Sequence, residues 1–306
     1  MTLEGFLSIK EAIDKYIAGC QAKVEMSKEN LMAKSILAGA LIGMGAAASS
    51  VAAHTIPDVG LARLAAAVVF PVGLMMVILL GAELFTGDCL MAMSVTDGKQ
   101  SLKEIIRVLI SVYFGNFIGA GALAMLINTS GQLNYSNGML GAYTIKVAMG
   151  KVNVSFMEGV TSGLLCNVLV CAAVLMALCA KDVTGKLIAV FFTIMLFVTA
   201  GFEHCVANMY YITAGLLAKM NPTYASLAME QYGYTLEQMR DLNIYHFLVT
   251  NLVPVTIGNI LGGIVFLGLP LYYMNMKKVE NKDHNTNKED MKNGYIRTTD
   301  TAGVVH

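Results

Sequence analysis

Five runs of this chain, at 35–53, 64–82, 108–128, 159–180 and 247–276, contain no charged residue, and a sixth covers 187–218 with one interruption at Glu203-His204. A helix needs about 20 apolar residues to cross a hydrocarbon core about 30 Å thick. These runs reach that length, whereas a barrel strand needs only about 9–11 residues. Inside lipid no water satisfies a stray N–H or C=O, so backbone must close its own hydrogen bonds. The expected fold class is therefore all-α integral membrane, with six spans. The composition agrees: 56% of residues are hydrophobic and 14% charged, against about 25% charged in a soluble domain.

Two of the six runs are too long and too broken to be single helices. The second continues past Glu83 through Leu84-Phe85-Thr86-Gly87-Asp88 into Cys89-Leu90-Met91-Ala92-Met93, and the fifth carries Glu203-His204 near its middle. A charged group at the bilayer centre costs about 2.5–3.5 kcal/mol on insertion scales. Such residues imply a partner, a cavity or a pathway. Each run is expected to form a half-helix, a polar loop and a second half-helix, because off-helix backbone at membrane depth is tolerated only when buried in protein or lining water.

Two short sequences recur in the same order. Gly81-Ala82-Glu83 is followed by Gly115-Asn116-Phe117-Ile118-Gly119, and Gly201-Phe202-Glu203 by Gly258-Asn259-Ile260-Leu261-Gly262. Each pair occupies the second and third spans of one half. Three spans per half is odd, so the second copy enters the membrane upside down. That is an inverted repeat, whose site is expected near the midplane.

Six spans place both termini on one side. Leaving out residues beyond 276, that side holds ten Lys and Arg, against five (Arg63, Lys146, Lys151, Lys219, Arg240) on the other. The positive-inside rule puts the termini in the cytoplasm. Residues 1–34 are expected to hold a cytoplasmic amphipathic helix, with Leu3, Phe6, Leu7, Ile9, Ile13 and Ile17 on its apolar face. It would lie on the membrane surface or pack between subunits. Residues 35–276 form the transmembrane domain, and 277–306, polar and aperiodic, a disordered cytoplasmic tail. Residues 1–30 lack the apolar stretch of a secretory signal, so the first span is expected to act as its own targeting element.

Several classes are disfavoured. Zero formal net charge gives no pull on nucleic acid. Six cysteines and five histidines show no metal-ligand spacing, so the cysteines are expected as packing residues and neither metal nor cofactor is implied. A membrane-embedded enzyme using His204, Glu203 and Asn167 would lack a nucleophile. A water or glycerol pore would need paired Asn-Pro-Ala boxes, which are missing. His204 is the leading functional candidate, since histidine exchanges a proton near neutral pH. Thr86 could offer a hydroxyl to a passing anion or cap the second half-helix.

Four segments carry a resemblance: 81–87 (GAELFTG), 163–171 (GLLCNVLVC), 201–209 (GFEHCVANM) and 251–259 (NLVPVTIGN). In this order they resemble the formate/nitrite transporter family, over roughly residues 1–276. The resemblance implies an aquaporin-like six-helix protomer, a homopentamer with one pore per subunit, and passage of formate, nitrite or hydrosulfide. It puts His204 at the pore centre, Thr86 facing it, and Asn167 as the polar neighbour that binds it. Glu83 and Glu203, with the repeat asparagines Asn116 and Asn259, become residues that hold helix ends and loops. Phe70 with Phe197 would form one apolar constriction, and Leu74 with Leu84 the other. Residues 151–158 (KVNVSFME) resemble a family segment that puts Lys151 at the outer mouth, where it would draw anions or pair with Glu158. Formate is the favoured substrate, with nitrite and hydrosulfide next.

Overall fold

A computed structural model of the chain describes residues 5–275. Among these residues six helices are long and apolar enough to span a membrane: Lys28–Ala53, Val59–Leu79, Leu102–Thr129, Phe156–Cys179, Val183–Ala200 and His246–Asn275. They are called the first to sixth spans below. The tail expected over 277–306, and Leu3 of the N-terminal pattern, lie outside the described residues.

The spans start earlier than their apolar runs because their caps are polar. Ser27, Asp58 and Asp182 each accept a backbone N–H from three residues on. Ser101 with Glu104, and Ser155 with Glu158, form reciprocal capping boxes. Such caps satisfy backbone donors that a helix cannot satisfy itself. The first span thus opens at Lys28, and the boundary expected between 34 and 35 falls inside it.

In the second run regular helix ends at Leu79, and winding resumes over Phe85–Asp88 and Ala92–Thr96, joined by a 3-10 turn. In the fifth run it ends at Ala200, where Gly201 takes φ 74°, and resumes over Cys205–Lys219. The sixth span is wound as a π-helix over His246–Leu252 and Gly262–Gly268. Asn251 and Asn259 within this span are buried.

The first span packs on the third and the fourth on the sixth, backbone to backbone. A Cβ on Gly119 would lie 1.9 Å from the Ile36 carbonyl oxygen, and one on Gly258 2.1 Å from that of Val160. Close backbone approach is how helices associate in lipid, where the hydrophobic effect offers little. Gly119→Ala is expected to push these spans apart and sharply lower the yield of monodisperse protein on gel filtration in detergent. A wild-type elution profile would disprove the close contact. Gly121 takes no part in this seam, since a Cβ there would have no neighbour within 4 Å.

The N-terminal helix, Ile9–Glu25, packs against its own protomer. Its apolar face (Ile13, Tyr16, Ile17, Cys20, Val24) is buried within this protomer, packed chiefly against the fourth span. The Leu7 N–H donates to the Cys179 carbonyl at 2.7 Å, and the Tyr16 hydroxyl to the Gly87 carbonyl at 3.0 Å. Side-chain periodicity identifies the apolar face; a partner inside the chain's own fold is not legible from it.

Candidate functional site

The two interrupted spans meet at their breaks. Thr86, in the first turn of one half-helix, and His204, the N-cap residue of the other, are 3.0 Å apart, Oγ1 to Nε2. Thr86 is fully buried and His204 nearly so. His204 Nδ1 accepts the Ala207 N–H at 3.1 Å. A neutral imidazole has one donor and one acceptor nitrogen, so this bond assigns the ring proton to Nε2. That N–H donates to the Thr86 hydroxyl oxygen. The Thr86 hydroxyl proton has no acceptor among the described residues.

Each break is held by an asparagine from a distant span. The Asn116 side chain accepts the Phe85 N–H at 2.9 Å and donates to the carbonyls of Glu83 and Ser35. The Asn259 side chain accepts the Cys205 N–H at 2.9 Å and donates to the carbonyls of Glu203 and Gly163. Each asparagine thereby satisfies one N–H and one C=O that the break frees.

Each glutamate pairs with a lysine. Lys151 Nζ lies 2.6 Å from Glu203 Oε1, and the other carboxylate oxygen accepts Asn208 Nδ2 at 2.6 Å. Asn208 Nδ2 also reaches Asn251 Oδ1, and Asn251 Nδ2 the Lys151 carbonyl. Lys23 Nζ lies 2.6 Å from Glu83 Oε2 and also bonds Asp88. Burial opposes the Lys23 charge, but Asp88 and Glu83 outweigh it and hold the pKa above the ordinary 10.5. On the alkaline side the clamp is therefore lost only as pH rises past the folded Lys23 value, and on the acid side it also needs its two carboxylates ionised.

Two vestibules approach this centre. The first, about 350 Å³, is lined by Arg63, Phe70, Lys146, Lys151, Phe197 and His204 among others. The second, about 460 Å³, includes Lys23, Leu74, Glu83, Leu84 and Asp88. Between them lies a narrow gap, lined by Phe70, Leu74, Leu84, Phe197 and His204 among others, with no space for a water-sized sphere. Phe70 meets Phe197 edge-on at 5.5 Å, and Phe197 stacks on His204 at 6.0 Å. The four apolar residues expected at two constrictions thus line one gap with His204. Such a gap opposes an ion far more than a neutral molecule.

Two expected contacts differ. Asn167 does not reach His204: its Nδ2 donates to the Thr86 carbonyl at 3.2 Å and the Asn259 carbonyl at 2.6 Å. Lys151 does not pair with Glu158, whose carboxylate is taken by the Ser155 capping box. Lys23, Asp88, Asn208 and Asn251 join the site without having been expected there. The signal for two of them is present in the sequence: Asp88 and Asn208 each follow a loop glutamate by five positions.

Comparison with known proteins gives one consistent result. A family model described as formate/nitrite transporter matches residues 10–273. The chain is 40% identical to a formate channel, FocA, of Haemophilus influenzae, over 70% of this chain and 75% of that protein. It is 31% identical to a formate-nitrite transporter of Plasmodium falciparum, over 82% and 80% respectively. A solved structure described as a pentameric formate channel with formate bound superposes with TM-score 0.72 at 32% identity, covering 81% of this chain and 98% of that one.

Proposed function

Since the chain belongs to the formate/nitrite transporter family, we propose that it moves small monovalent anions, formate foremost, through a pore in each protomer of a homopentamer in the cell membrane. The observation that carries this reading is the Thr86–His204 contact, whose histidine lines a narrow gap between two lysine-bearing vestibules. The solved relative described as pentameric and formate-bound supports the assembly and the anion. The matching asparagine brackets at the two breaks support an aquaporin-like pair of inverted three-span repeats. The excess of Lys and Arg on the side of the N-terminal helix supports cytoplasmic termini. The second vestibule is then the inner one.

The gap governs the mechanism. An anion arriving from either vestibule accepts the Thr86 hydroxyl, which is polarised by the Nε2–H of His204. The hydrogen bond spreads the anion's charge. Full transfer needs an imidazolium His204 whose extra proton comes from vestibule water. The imidazole returns to neutral as the anion takes its proton, and the neutral acid then crosses the apolar gap. Formic acid has a pKa near that of a terminal carboxyl, about 3.3–3.7, so at pH 7 roughly one molecule in a few thousand is already neutral. A donor at the gap therefore matters. For His204 to hold a second proton, the Ala207 N–H must first leave Nδ1. Proton relay is thus tied to movement of the first turn of Cys205–Lys219. Lipid covers the exposed apolar faces of the spans.

Nitrite and hydrosulfide, also monovalent bases of weak acids, are alternative cargoes of the same site. Purified protein in liposomes is expected to take up formate saturably, faster at lower pH, and at a higher rate than nitrite or hydrosulfide. Absence of all three fluxes above empty liposomes would defeat the reading.

A further inference from the structure

The cations of the first vestibule are not equivalent. Lys151 is 2.6 Å from Glu203, so this pair presents no net charge to an arriving anion. Arg63 and Lys146 line the same vestibule and have no acidic partner among the described residues. Lys146 is held by groups that leave its charge intact. The Lys146 ammonium lies 5.3 Å from the Tyr143 ring centre and 4.9 Å from that of Tyr232. Aromatic faces attract a cation without neutralising it. The Arg63 guanidinium lies over the Gly201 backbone, where a Cβ would come within 2.4 Å of Nη1. Glycine at 201, needed for its φ of 74°, also leaves room for the guanidinium.

We propose that Arg63 and Lys146 form an anion-capture station in the first vestibule, with a preference for planar two-oxygen anions such as formate and nitrite over hydrosulfide. The proposal rests on the anion-transport reading above and assigns the collecting charge to residues other than Lys151. A concave mouth lined by uncompensated charge of one sign concentrates counter-ions and speeds their arrival by about 10-fold or more. The guanidinium fork matches two oxygens held at a fixed spacing, as in a carboxylate. A single sulfur offers no second acceptor to that fork, so hydrosulfide gains only the charge term.

The test is concentration-dependent uptake of formate, nitrite and hydrosulfide into proteoliposomes at low and high ionic strength. The proteins compared are wild type, Arg63→Gln with Lys146→Gln, and Arg63→Lys. The double variant is expected to raise the half-saturating formate concentration about tenfold, to flatten the salt dependence, and to keep the maximal rate. Arg63→Lys is expected to keep the salt dependence and lower the preference for formate over hydrosulfide about fivefold. An unchanged half-saturation in the double variant, or an unchanged preference in Arg63→Lys, would overturn the station while leaving the transport reading standing. A wild-type protein with no flux would overturn both. Arg63→Lys carries the test if the double variant does not elute as wild type does on gel filtration.

Discussion

His204→Phe is expected to lower formate uptake at pH 7 by about a hundredfold, the scale on which a positioned proton donor contributes. Phenylalanine keeps a ring to stack on Phe197 and so preserves the shape of the gap. It removes both the Nε2–H that reaches Thr86 and the Nδ1 that accepts the Ala207 N–H. An anion then meets apolar walls with no polarised hydroxyl between them. Thr86→Val, close in shape, is expected to act in the same direction, because the hydroxyl is the only group of that residue aimed at His204. The measurement is initial formate uptake into proteoliposomes across the range where histidine titrates, about pH 5–8. Uptake of either variant near the wild-type rate, with little response to pH, would remove His204 and Thr86 from the proton path.

Glu203→Ala is expected to destabilise the protein by about 3–5 kcal/mol, the cost of leaving one member of a buried ion pair without its partner. The Lys151 side chain is only 19% exposed and has no other acidic group at hand among the described residues. Asn208 Nδ2 loses its carboxylate acceptor as well and keeps only Asn251. The midpoint of thermal unfolding in detergent would report the loss. The paired replacement Lys151→Met with Glu203→Leu is expected to restore much of it, because an apolar pair of similar volume avoids desolvating charges. If Glu203→Ala unfolds at the wild-type temperature, the pair is not holding the break, and the first vestibule is wetter than its lining indicates.

Much of the architecture is legible from apolar run length alone, since lipid permits so few ways to satisfy a backbone. The two interruptions are legible for the same reason: Glu83 and Glu203 are expensive where they stand. Thr86 and His204, which share a loop with these carboxylates, stand out with them. Lys23 does not. It sits on a surface-like, lysine-containing helix whose pattern fits a membrane face or a subunit contact equally well, and nothing local says that it turns inward. Asn167 is expected on the wrong partner because sequence identifies a polar residue at depth but not which orphaned carbonyl will claim it. Helix starts are expected late, at 108 in place of Leu102 for example, because the apolar run marks where lipid begins and the cap marks where hydrogen bonding begins.

By itself the sequence determined what water and lipid act on directly: the number of apolar spans and the two places where charge interrupts an apolar run. These follow from solvation, which each residue feels independently of its distant neighbours. Only the tertiary structure decided which groups meet. It brought Thr86 to His204 across 118 positions, turned Asn116 and Asn259 onto loops they do not adjoin, and closed Lys23 and Lys151 onto separate glutamates. Hydrogen bonds and ion pairs act over about 3 Å, and such distances exist only after the spans have packed.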